Sequence, residues 1–133
     1  MLAFGLTLPA YNTSWLFLHT VSLYWRLTGN ASQALNCLVR SHVLAPGTVH
    51  DFSYLSMALI LYNSQLHTNE AIYFLYESLS SDRHALVLSH FTLGNAMARK
   101  GRLDLAEQWY QSSLKLKSDF EPAKQRLRAI QCS

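Results

Sequence analysis

"LGNAMARKGRLDLAEQWY", Leu93 to Tyr110, decides how the rest of the chain is read. It consists of one helical stretch, a glycine stop at Gly101, and a second helical stretch in which small residues alternate with large ones. A glycine at the end of a helix tolerates the positive φ that closes it. The unit is therefore a helical hairpin, and what remains to settle is whether the hairpin stands alone or recurs.

It recurs. Gly29 and Gly101 each precede an alanine by five residues, Ala34 and Ala106, and Ala71 lies between them with Leu66 at the same offset. Helical periodicity runs over about 14–28, 31–44, 52–65, 69–80, 86–99, 103–116 and 121–131, and sustained strand alternation is lacking. Pro46 forbids continuation of the second segment, and Pro122 suits the first turn of the last. Hairpins recurring near 34 residues mark a stacked array.

Aligned on the alanines, the chain divides into an N-terminal loop or remnant of an upstream repeat (1–14), three units (15–48, 52–85 and 87–120) and a capping helix (121–133). Gly94, Ala106 and Ser113 are expected where two helices approach closely, with Trp25, Tyr62 and Tyr110 filling the wedges. The second unit diverges: Leu59 and Leu66 take both glycine slots and Arg83 stands in the final proline slot. Ala123, Leu127 and Ile130 are expected to face inward from the cap, as a terminal helix requires.

Composition excludes several classes of function. The 133 residues carry 11 Lys and Arg against 8 Asp and Glu, a net charge of +3, too dilute for a nucleic-acid face. Residues 1–66 hold only Arg26, Arg40 and Asp51 among charged side chains, and no polar N-terminal cap is evident, so further repeats are expected upstream. Pro9, Asn12, Thr13, Ser14 and His19 break the apolar start, which leaves no membrane span. Cys37 and Cys132 lack metal or disulfide spacing and read as reduced, small apolar residues. The six histidines show no ligand spacing, His50-Asp51 and Asp82-Arg83-His84 fall near turns, and no phosphate loop or nucleophile elbow occurs. No enzyme and no cofactor are expected.

The candidate site is the concave face lined by the first helix of each unit. Its expected residues are His19, Leu23 and Arg26; Ser56, Met57, Ile60 and Asn63; Phe91, Thr92, Asn95 and Arg99; and Gln125 from the cap. Leu, Met, Ile and Phe with scattered amides suit an apolar helix or an extended peptide. The basic set around Arg99, Lys100, Arg102 and Lys124 is diluted by Asp104, Glu107, Asp119 and Glu121 and reads as solvated surface.

The spacing and the Leu-Gly and Ala positions resemble the tetratricopeptide repeat family, which implies an all-α solenoid of three hairpins plus a C-terminal capping helix. "HFTLGN", "WYQSSLKL" and "PAKQRL" with "IQC" are similar to one branch of that family. That resemblance implies a non-enzymatic, cytoplasmic protein, associated with the cytoskeleton or cell membrane and acting through protein partners in actin filament polymerisation and cilium organisation. Family members that dock chaperone tails grip a carboxylate with lysine, asparagine and arginine; only Asn95 and Arg99 partly match, and no groove lysine accompanies them. A co-chaperone or trafficking adaptor that captures peptide tails is the alternative. Sequons at Asn12 and Asn30 keep the secretory lumen open, and with it a luminal enzyme-associated subunit.

Overall fold

The structure, a computed structural model, describes residues 14–80 and 86–132. Its seven α-helices are α1 (Trp15–Leu27), α2 (Ala31–Leu44), α3 (His50–Asn63), α4 (Thr68–Leu79), α5 (Val87–Arg99), α6 (Leu103–Leu116) and α7 (Glu121–Gln131), and no strand occurs among the described residues. Asn12, Pro9 and the Asp82-Arg83-His84 turn lie outside them. The helices pair as α1/α2, α3/α4 and α5/α6, and each hairpin packs on the next through its second helix. Helix α7 closes the stack against α6. The fold is an α-solenoid.

Local chemistry sets the helix ends. Ser14 and Asn30 cap α1 and α2 by accepting the N–H groups of Phe17 and Gln33, two of the donors left orphaned at a helix start. Helix α2 stops at Leu44 because Ala45 before Pro46 takes extended backbone, and a short 3-10 turn, Gly47–Val49, leads straight into α3. That turn starts α3 two residues earlier than periodicity suggests. Gly29 (φ 83°) and Gly101 (φ 80°) terminate α1 and α5 in left-handed backbone. In the middle hairpin the corresponding residue is Gln65 (φ 65°), not Leu66, which corrects the alignment on alanines. One additional residue separates Gln65 from Ala71, so the alanine register and the turn register differ by one.

Packing follows the small residues. Ala34, Ala71 and Ala106 are fully buried where the helices of each hairpin meet. Two turns further along each second helix, Ser41, Ser78 and Ser113 are also buried, and their hydroxyls donate to the carbonyls of Trp15, Leu75 and Tyr110. A buried hydroxyl left unpaired costs more than the bond returns; Ser78 and Ser113 are satisfied within their own helices, whereas Ser41 reaches across to α1. Ser78 also meets Ser89 at 2.8 Å, joining the second hairpin to the third. One core cluster joins Leu55, Leu75, Leu93, Met97 and Tyr110 and takes in Ala123, Leu127 and Ile130 of the cap; a second joins Ala34 and Leu38 to Met57 and Ile60. Burying each leucine contributes roughly 1.5–3 kcal/mol. Cys37 is buried as expected of a small apolar residue, whereas Cys132 is exposed near the end of α7.

Candidate functional site

The first helices α1, α3 and α5 lie side by side, and two concavities open on the face they form. The larger, about 520 Å³, is lined by Leu16 and His19 of α1, Phe52, Ser53 and Ser56 of α3, and Leu88 of α5. The smaller, about 300 Å³, lies at the other ends of α1 and α3, among Arg26, Gly29, Ile60 and Asn63. Of the residues expected in a groove, His19, Ser56, Arg26, Ile60 and Asn63 therefore line these openings. Burial lowers the pKa of His19, and the nearby positive charge of Arg26 lowers it further, which puts both residues in one electrostatic environment.

The other expected residues do different work. Met57 and Ile60 pack on Ala34 and Leu38, because their side of α3 faces the preceding hairpin; Ile60 keeps only an edge at the smaller opening. Thr92, on α5, is buried as well. In the register of the turn residues Leu23 matches Leu59 and Asn95, and it is exposed. Gln125 is exposed on α7, on the opposite side from buried Ala123.

In the third hairpin the tertiary contacts consume the expected ligands. Phe91 turns inward, its ring 5.6 Å from Tyr110 and edge-on to Phe120 at 5.3 Å. Asn95 accepts the Tyr110 hydroxyl at 2.6 Å. Burial pushes the pKa of that phenol up to about 12, so it keeps its proton and remains a donor. The Arg99 guanidinium donates to the Tyr62 carbonyl at 2.6 Å and to the Thr68 hydroxyl at 3.4 Å. Its neighbour Lys100 reaches Asn69. These six contacts tie Phe91, Asn95, Arg99 and Lys100 to neighbouring helices and turns, while Arg99 stays exposed.

Sequence reasoning missed Leu16, Phe52 and Leu88. A signal was present, since these large apolar residues recur at 36-residue intervals near the start of each first helix. Alignment on the alanines shifts that register and hides it. Among the described residues no group of three or more His, Cys, Asp or Glu could hold a metal ion, and no helix is long and apolar enough to cross a membrane.

Stacked hairpins with fully buried alanines at their crossings and glycine-type turns define a tetratricopeptide-repeat array. Over 120 residues, 90% of its length, the chain is 38% identical to tetratricopeptide repeat protein 17 of Homo sapiens and of Rattus norvegicus, and 37% identical to that of Danio rerio. It spans 10% of the length of each of these relatives. No family model matches the chain. Two solved structures share its fold. The first repeat domain of Spaghetti (RPAP3) bound to the HSP90 peptide SRMEEVD has a TM-score of 0.79 at 16% identity, covering 89% of this chain and 90% of that one. A MamA structure has a TM-score of 0.75 at 18% identity, covering 87% and 66%.

Proposed function

We propose that this chain is a non-enzymatic scaffold whose first-helix face holds a segment of a protein partner. The observation that carries this reading is the pair of concavities on one face, one of them shared by α1, α3 and α5. A rigid, preformed face leaves little ordering to oppose binding. The resemblance to the branch of tetratricopeptide repeat protein 17, of whose length this chain spans 10%, makes actin filament polymerisation and cilium organisation, in the cytoplasm, the favoured setting.

A tail-capturing co-chaperone or trafficking adaptor is the second reading, favoured by the peptide in the RPAP3 structure. Here Arg99 is held on Tyr62 and no lysine lies on the described parts of α1, α3 or α5, so a carboxylate clamp of that kind is incomplete.

The test is proximity labelling in ciliated cells with the wild type, a face variant (Asn63→Arg with Leu88→Glu) and a second-helix control (Val43→Glu). Recovery of actin-regulatory or ciliary proteins that is lost only in the face variant supports the scaffold. Predominance of chaperones moves the function to the second reading. A glycan at Asn30, read by an endoglycosidase shift, places the chain in the lumen and sinks the cytoplasmic setting.

A further inference from the structure

We infer that the seam between the first and second hairpins is a hinge. The two hairpins turn about the connector that joins them and part at the opposite edge, where the hairpin turns lie. The inference stands on the two seams of the stack, whether or not the first-helix face holds a partner.

The two seams differ at that edge. Turn residues Gly29, Gln65 and Gly101 mark equivalent places in the three hairpins. In the second seam the residues two and one before the turn, Arg99 and Lys100, cross to the preceding hairpin. Arg99 covers the Tyr62 ring and donates to the Tyr62 carbonyl and the Thr68 hydroxyl, and Lys100 donates to Asn69. In the first seam those places hold Asn63 and Ser64. Ser64 donates back to Leu61 of its own helix at 2.7 Å, and Asn63 only borders an opening. The receiving side has changed as well. Arg26 stands in the place of Tyr62, so a cation reaching from position 63 would meet a like charge instead of a ring.

Space remains where the second seam has its clamp. Openings of about 300 Å³ and 360 Å³ lie at this edge and share Ala31, Ile60 and Ser64. One extends toward Arg26 and Gly29, the other toward Leu35 and His67. The second seam is braced further in as well, since Ser78 meets Ser89 at 2.8 Å and α5 packs on α3 as well as on α4. The first hairpin meets α3 chiefly through α2.

The connector edge is the pivot. Pro46 and the 3-10 turn Gly47–Val49 join α2 directly to α3, and His50 Nε2 lies 3.1 Å from the Ala45 carbonyl. The His42 ring stands 4.0 Å from His50 and 4.6 Å from Tyr54 beside them. Between pivot and open edge the contact is apolar, Ala34 and Leu38 against Met57 and Ile60. Apolar burial is non-directional and permits a small rotation, whereas a guanidinium fork fixes distance and angle together. Helices α2 and α3 have 14 residues each, roughly 21 Å of length. A rotation of about 10° therefore moves the turn ends by roughly 3–4 Å and widens or narrows the first-helix face.

Spin labels read this motion directly. Asn36, Tyr73 and Gln108 are exposed and stand two residues after the buried alanines of the three second helices. Asn36→Cys with Tyr73→Cys spans the first seam and Tyr73→Cys with Gln108→Cys the second, each in the full chain with Cys37→Ala and Cys132→Ser. Pulsed electron resonance should give a 36–73 distance distribution broader than the 73–108 one by roughly 3–4 Å. Arg26→Tyr with Asn63→Arg transplants the clamp, Ser32 standing where Thr68 stands, and should narrow the first distribution to the width of the second. Arg99→Ala should broaden the second by a similar amount. Circular dichroism establishes that each variant is folded. Equal widths in the starting protein overturn the hinge, and so does a broad first distribution that survives the transplant. Should the transplant fail to fold, Arg99→Ala decides, and an unbroadened second seam overturns the account.

Discussion

The guanidinium carbon of Arg99 lies 3.6 Å from the centroid of the Tyr62 ring while its Nη1 donates to the Tyr62 carbonyl at 2.6 Å. One side chain of the third hairpin thus grips the last turn of α3 by ring and backbone together, adding a second donor to a helix-end carbonyl that already accepts the Gln65 N–H at 3.1 Å. Arg99→Ala is expected to lower stability by about 1 kcal/mol, the exposed position limiting the effect. Arg99→Lys should recover less than half of it, because a point charge cannot reproduce the planar fork. Urea unfolding checks both, and an unchanged midpoint in Arg99→Ala would show the clamp to be idle.

Gly94 and Tyr110 set the closest approach within the third hairpin. A Cβ on Gly94 would lie 2.5 Å and 2.6 Å from two ring carbons of Tyr110, which is only 2% exposed. Replacing glycine by alanine inside a helix ordinarily stabilises by up to about 1 kcal/mol. Here the clash wins, and Gly94→Ala is expected to cost about 1–3 kcal/mol net. Thermal unfolding of Gly94→Ala, Tyr110→Leu and the pair should show the double variant less destabilised than the two singles added. Strict additivity would remove the steric account.

Gln65 occupies the left-handed backbone that glycine takes at Gly29 and Gly101. A side chain there is opposed by its Cβ at roughly 1 kcal/mol. Gln65→Gly should therefore stabilise the middle hairpin by about 0.5 kcal/mol, the entropy of the freer unfolded chain offsetting part of the relief. Gly29→Ala and Gly101→Ala should act in the opposite sense. Denaturant midpoints settle the matter, and a Gln65→Gly variant less stable than wild type contradicts it.

His42 makes the junction of the first two hairpins sensitive to acid. Its buried Nδ1 has no hydrogen-bond partner among the described residues, and its ring stands 4.0 Å from His50 and 4.6 Å from Tyr54. Burial first, and the charge on His50 second, lower its pKa. The unfolded chain then takes up the proton before the folded one, so stability present above about pH 6.5 is lost as pH falls through the folded value. His42→Phe should lose less stability than wild type between about pH 7.5 and pH 5.5. Parallel pH dependences for the two proteins would exclude His42 as the cause.

The repeat and its helices were legible in the chain because they rest on local chemistry. Period, capping side chains, glycine turns and prolines act within one turn of where they stand, and six of the seven helices begin and end within a residue or so of the periodic pattern. Small residues at 34, 71 and 106 announced where helices cross, since only a missing side chain permits that approach.

Which way each groove candidate faces belonged to the tertiary structure. Met57 and Thr92 are buried, Met57 against Ala34 and Leu38 of the preceding hairpin, while Leu23 stays exposed. Phe91 was drawn inward by Tyr110 and Phe120, and Arg99 was taken up by Tyr62, partners 19 to 37 residues away in the chain. Leu16, Phe52 and Leu88 became one pocket only when three hairpins stacked. A helical period states which residues share a side; what covers that side depends on the neighbour that packs there.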